Sequence, residues 1–146
     1  MRWLAAIALC APLAAAPATL KVRVGTQTLE MPIEKYVAAV LAGESNSFRS
    51  DEALKAMAVA ARSYGLHFRG RHQGEGFDLC ATTHCQRVEP GAVTSRIESV
   101  VSATAGEVLW YEGKPVFACY SRDCGGLTED AAAVWSAINA DRKSVV

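Results

Sequence analysis

Cys80, His84 and Cys85 form a C-x3-H-C cluster, and His72 lies a short way upstream. Thiolates and imidazoles together are the soft and borderline donors that zinc accepts. A closed set of all four would be structural, whereas three ligands and a water would be catalytic; with no obvious base nearby, the structural use is expected. The same cysteines also suit a disulfide, with His84 an ordinary loop residue, and both readings stand at this point. Cys119 and Cys124 flank Tyr120 to Asp123 and lead into Gly125-Gly126-Leu127-Thr128. Paired glycines let backbone amides approach a ligand, or simply make a turn. A cysteine nucleophile served by His84 is a further option, with nothing in the sequence joining the two.

Glu44 is the carboxylate whose placement invites chemistry. On a helix advancing about 100° per residue, with Ile33 at zero, Val37 falls near about 40°, Val40 near about 340° and Glu44 near about 20°. Glu44 thus lies within the apolar stripe. Either it is a solvated helix end, or it faces a cleft, where a carboxylic acid kept neutral by its surroundings can protonate the leaving oxygen of a glycosidic bond. Ordinary glycosidases set a second carboxylate opposite the first. Asp51 and Glu52 are near in sequence, but their expected task is favourable charge at a helix start. Without a partner acid, simple hydrolysis is a poor fit. Arg62, at the margin of its helix's stripe, reads as a snorkelling surface side chain.

These residues need a scaffold. Leu20, Val22 and Val24 alternate with polar neighbours and turn at Gly25 to Gln27 into Thr28–Met31, a hairpin. Pro32 suits the first turn of a helix reaching Glu44, with Ile33, Tyr36, Val37, Val40 and Leu41 on one face and Ala38, Ala39 and Ala42 on the other. Ser50 caps a second, alanine-rich helix running to about Gly70. Residues 77–88 read as a structured loop. Thr94 to Ala105 predicts a third helix stopped by Gly106, and Val108–Tyr111 pairs with Pro115–Tyr120 across Glu112-Gly113. The sum is an α+β domain with two to three helices packed on small antiparallel sheet elements.

At 146 residues the chain holds one such domain and its attachments. Lys plus Arg and Asp plus Glu number 15 each, so no basic field exists to grip a polyphosphate backbone, and nucleic acid is excluded as the expected partner. Arg2, the apolar run Trp3–Leu13 and the small residues after it have the layout of a secretory signal peptide over residues 1–18, with a cut before Thr19 competing with one after Ala16. The run is shorter than the roughly 20 residues that span a bilayer, so no retained transmembrane segment is expected. The mature domain would be residues 19–146, holding Cys80, Cys85, Cys119 and Cys124 in a secreted, periplasmic or wall-associated location.

Four ordered segments, MPIEKYVAAVLAGES, EALKAMAVAARSY, FDLCATTHCQRV and AGEVLWYEGKPVFACYSRDCGGLTED, resemble the stage II sporulation protein D family, the SpoIID/LytB domain, from about residue 29 to 135. The resemblance implies a peptidoglycan lytic transglycosylase that cuts glycan strands lacking stem peptides and leaves 1,6-anhydro ends, or a non-catalytic wall-binding module or enhancer of a cell-wall amidase. It implies that Glu44 is the general acid and base, since the sugar's own C6 hydroxyl replaces a second carboxylate. It supports zinc on Cys80, His84 and Cys85, His72 being the inferred fourth ligand, and makes Gln86, Ser121, Gly125, Gly126 and Thr128 candidate glycan contacts. Ser45, Asn46, Met57 and Cys119 depart from the family pattern. Family domains continue beyond the position of Trp135, so a C-terminally shortened domain is expected.

Overall fold

The computed structural model describes residues 18–45, 47–120 and 126–127. The α+β expectation holds: a small sheet, a core of packed helices and a separate short hairpin. Strand β1 (Thr19–Val24) turns through Gly25, at φ 58°, into the antiparallel β2 (Gln27–Pro32). The register pairs Leu20 with Met31 and Val22 with Leu29. Alternation does what it promises here, because Leu20 and Val22 are sealed from solvent while Thr19 and Lys21 face outward. Pro32 ends β2 and caps the next helix instead of entering its first turn.

Helix α1 (Ile33–Glu44) is not the two-sided element its pattern suggests. Tyr36 through Gly43 are all buried, the alanines as fully as the large residues. A helix apolar on all sides belongs inside a core. The sheet takes one side of it; α2 (Asp51–His67) and α3 (Ser95–Ala103) take the others. Small residues permit the approach: a methyl group on Gly65 of α2 would stand 2.7 Å from the Tyr36 ring. α2 begins as its sequence predicts, Ser50 Oγ accepting from Ala53 N at 3.2 Å, whereas α3 begins one residue later than expected because Thr94 stands outside it as the cap, its Oγ1 accepting from Ile97 N at 3.3 Å. They stop sooner than predicted, with Phe68 and Thr104 as their closing residues.

Arg62 corrects its surface assignment. The side chain is 1% exposed and grips Glu34 at the start of α1 through both carboxylate oxygens, at 3.1 and 2.6 Å. It also donates to the Glu107 carbonyl at 3.0 Å, and Glu34 accepts from Gly106 N at 3.1 Å. One guanidinium thus ties α1, α2 and the turn after α3. Its position on the edge of the stripe concealed this, because a partner 28 residues away satisfies the charge.

The segment read as an irregular loop contains a strand. β3 (Leu79–Cys80) pairs in parallel with β1, Val22 with Leu79 and Arg23 with Cys80, giving the order β2-β1-β3. Backbone bonds from Asp78 N to Lys21 O at 2.7 Å and Ala81 N to Arg23 O at 2.8 Å extend the join. The hairpin of β4 (Trp110–Tyr111) and β5 (Lys114–Pro115) is shorter than expected, though its turn is as predicted: Glu112 and Gly113 both take positive φ, 48° and 77°. No helix among the described residues is long and apolar enough to cross a membrane.

Candidate functional site

Glu44 is the last residue of α1 and is partly exposed, at the point where the buried stretch Tyr36–Gly43 reaches solvent. Its Oε1 accepts a hydrogen bond from the backbone N–H of Arg87 at 2.8 Å. The segment carrying Arg87 is tied to α1, with Glu89 N donating to Ala39 O at 2.9 Å. Gly43 makes this possible: a Cβ there would stand 2.5 Å from the Arg87 carbonyl oxygen. The carboxylate is therefore aimed by backbone, which cannot swing aside as a side chain would.

Gln86, one of the candidate glycan contacts, is 1% exposed, and its amide is engaged at both ends. Its Oε1 accepts from Tyr36 Oη at 2.5 Å, and its Nε2 donates to Tyr120 Oη at 3.2 Å. Tyr120 is half-buried and close enough to Glu44 to feel its charge: burial first, then Glu44 and Tyr64, push the phenol upward against the opposing Gln86 bond. Burial likewise pushes up Tyr36, with Tyr120 adding to it. Neither tyrosine was singled out by sequence reasoning. The only signal was Tyr36's place in the stripe, which reads as core packing.

The metal candidates converge. Donor atoms of His72, Cys80, His84 and Cys85 all lie within 4.8 Å of one another. Cys80 Sγ is 3.6 Å and Cys85 Sγ 3.7 Å from His84 Nδ1, and Cys85 Sγ is 3.4 Å from His72 Nε2. A tetrahedron built with Zn–S of about 2.3 Å and Zn–N of about 2.05 Å has S···N edges of about 3.6 Å. Both the spacing and the donor chemistry fit a closed four-ligand zinc site. Cys80, Cys85 and Cys119 are free thiols. Burial opposes ionisation of Cys80, but hydrogen bonds from Thr82, His84 and Cys85 outweigh it and bring the thiol down to about 6. Cys85 is pushed up to about 11, chiefly by burial. The pair therefore retains one proton at neutral pH, and a divalent cation would supply the charge needed to release it.

Different elements deliver each donor. β3 carries Cys80, the turn after it carries His84 and Cys85, and the turn after α2 carries His72. Outer contacts orient the rings: Glu75 Oε1 lies 2.6 Å from His72 Nδ1, and Phe77 stacks on His72 with centroids 4.7 Å apart. Arg71 donates to the His84 carbonyl and to Tyr64 Oη, both at 3.2 Å. Cys85 directly precedes Gln86 and Arg87, so whatever fixes the cluster also fixes the amide that holds Glu44.

Other candidates are dispersed. Asp51 pairs with Arg96 at 2.8 Å and Glu52 with Lys55 at 2.7 Å, so neither serves Glu44. Burial raises the Cys119 thiol, and His84 makes its contacts with Arg71 and the other two cysteines, which leaves Cys119 without an activating base among the described residues. Gly126 adopts φ 91° with open space where a side chain would be. Ser121, Gly125, Thr128, Cys124, Asn46, Trp135 and the leader through residue 17 lie outside the described residues. A cleft of about 750 Å³ lies elsewhere, between the outer face of β1 and the end of α2, lined by Lys21, Glu30, Arg69, Gln73 and Asp78.

The stage II sporulation protein family, SpoIID, matches residues 24–111, which takes in Glu44, the four metal candidates and Gln86. The chain belongs to the SpoIID family. An uncharacterised protein of Brachyspira hyodysenteriae is 37% identical over 109 residues, covering 73% of this chain and 29% of that protein. Stage II sporulation protein D of Bacillus subtilis is 29% identical over 151 aligned positions, covering 91% of this chain and 44% of the relative. The amidase enhancer of the same organism is 36% identical over 97 residues, 66% of this chain and 13% of the enhancer. The chain thus spans less than half the length of these relatives.

Proposed function

We propose that this SpoIID domain works on the bacterial cell wall as a lytic transglycosylase, cutting glycan strands that lack stem peptides and leaving 1,6-anhydro ends. The observation that carries the proposal is Glu44 at the end of a buried helix, aimed by the Arg87 N–H, while Asp51 and Glu52, the acids near it in sequence, pair with Arg96 and Lys55 instead. In this mechanism protonated Glu44 gives its proton to the glycosidic oxygen as the bond from C1 breaks. The resulting carboxylate then takes the proton of the C6 hydroxyl as that oxygen bonds to C1. Atoms balance without water, and the single acid is restored. Ser121, Gly125, Gly126 and Thr128 are proposed to line the glycan path, and export to the periplasm or wall is part of the proposal because the substrate lies there.

Zinc held by His72, Cys80, His84 and Cys85 would serve as structural cross-linking for the loop that ends in Gln86 and Arg87. The residues themselves do the rest: the Arg87 amide orients the acid, and Gly43 admits the Arg87 backbone.

The deciding experiment digests amidase-treated peptidoglycan with wild type and Glu44→Gln and reads anhydro products by mass spectrometry. Wild type should release them, and the variant should not while melting at the same temperature. Equal turnover by the two would reject Glu44. The second reading, a non-catalytic module that binds wall or stimulates an amidase, is favoured by the similarity to the amidase enhancer. It predicts sacculus binding or amidase stimulation by both proteins and no anhydro product from either.

A further inference from the structure

Tyr36, Gln86 and Tyr120 form a polar chain running from the core to the neighbourhood of Glu44, and hydrogen-bond direction along it is set from the buried end. Tyr36 has no solvent exposure, and its hydroxyl meets Gln86 at 2.5 Å. A phenol hydrogen sealed from water requires an acceptor, and of the two ends of an amide only the oxygen accepts. Gln86 must therefore turn Oε1 to Tyr36 and its NH2 group to Tyr120, 3.2 Å away. Tyr120 Oη is thereby made an acceptor inside the protein. Its own hydrogen is left over, and no acceptor for it is found among the described residues. The phenol also stays protonated, because burial and the Glu44 charge both oppose its ionisation.

We propose that Tyr120 is a glycan-binding hydrogen-bond donor of the Glu44 site, offering its hydroxyl hydrogen to a sugar oxygen, and that Tyr36 and Gln86 are positioning residues that keep this hydrogen turned outward. The proposal rests on the reading of the ligand as a glycan strand. Sugar hydroxyls and ring oxygens are acceptors spaced along every residue of such a strand, and a neutral donor of fixed polarity binds them without competing with Glu44 for a proton. Gln86 thus acts through Tyr120 and not by touching sugar.

The test uses the full chain in a Glu44→Gln background, so that ligand survives, and titrates denuded glycan oligosaccharides of defined length by calorimetry. Tyr120→Phe should weaken binding about tenfold, the value of one good hydrogen bond. Tyr36→Phe removes the buried donor, frees Gln86 to rotate its amide and present its oxygen to Tyr120, and so captures the outward hydrogen; it should cost a similar factor. The two changes together should cost no more than Tyr120→Phe alone. The tyrosine ring doublet in Raman spectra reports whether a phenol donates or accepts, and in the ligand-free protein Tyr36→Phe should convert the Tyr120 contribution from acceptor to donor. Undiminished binding by Tyr120→Phe, additive losses, or an unchanged doublet would each overturn the proposal. If the parent protein binds no denuded glycan at all, the ligand reading itself has failed; if it binds and Tyr120→Phe binds equally, only the donor assignment has. Tyr120→Phe decides the matter even if Tyr36→Phe proves unstable.

Discussion

Replacing Gly43 with alanine tests whether backbone contact aims the acid. The new methyl would lie 2.5 Å from the Arg87 carbonyl oxygen and 3.0 Å from its carbon. Neither atom belongs to a flexible side chain, so the segment carrying Gln86 and Arg87 must move. Overpacking of this kind costs about 1–3 kcal/mol. Against it stands the gain of about 1 kcal/mol from replacing glycine by alanine inside a helix. If sterics lose, the variant is as stable as wild type or slightly more so; if they win, it is weaker by up to about 2 kcal/mol, or several degrees in melting temperature. Activity separates the cases more sharply. A shift of about 1 Å at Arg87 lengthens the bond to Glu44 beyond hydrogen-bonding range, and misplacement on that scale costs about 100-fold in rate. Anhydro-product release and thermal melting should be measured together, with Gly74→Ala as the control, since nothing lies within 4 Å of a methyl there. A Gly43→Ala protein that melts no lower and turns over glycan at the wild-type rate would refute the reasoning.

Further expectations concern stability and the metal loop. Arg62→Met should destabilise the domain by about 3–5 kcal/mol in urea unfolding, because Glu34 loses its paired partner in a partly buried place, and Arg62→Lys should recover little of it without the two-pronged geometry. Thr94→Ala should cost about 1 kcal/mol through loss of the α3 cap, read by the same unfolding curves. Protein purified without chelator should carry one zinc per chain, and Cys85→Ser should abolish it, as metal analysis would register. With metal removed, the Cys80 thiol near 6 contributes stability that is present above its ordinary value of 9.0 and lost as pH falls toward 6. Cys85, raised to about 11, contributes stability present below its ordinary range and lost as pH climbs to 11. Their sum places a maximum near about pH 9 in the metal-free protein, which a Cys80→Ser, Cys85→Ser pair should lack when urea unfolding is followed across pH.

Much of the scaffold was legible because its causes are local. The cap at Ser50, the positive-φ turn at Glu112-Gly113 and the first hairpin each depend on residues a few positions apart. The convergence of His72, Cys80, His84 and Cys85 was readable for a related reason: thiols and imidazoles announce their chemistry wherever the chain puts them, and the C-x3-H-C spacing needs only His72 beside it. What stayed hidden depends on partners distant in sequence. β3 is two residues long, and only its parallel pairing with β1 makes it a strand. Arg62 carries a charge that composition assigns to the surface until Glu34 and Glu107 are seen around it. The family resemblance made Gln86 a candidate sugar contact, yet its hydrogen bonds are spent on two tyrosines 50 residues before and 34 after it. Glycine at 43 carried a visible hint, standing directly before the acid, but its reason lies in Arg87.

The enclosure of α1 on every side means that the proposed acid is mounted on the part of the molecule least free to drift. Sequence variation, natural or engineered, will find little room along that helix, where a change disturbs the sheet and two neighbouring helices at once. A redesign aimed at a different sugar polymer should therefore leave the helix untouched and diversify the chain that follows Tyr120.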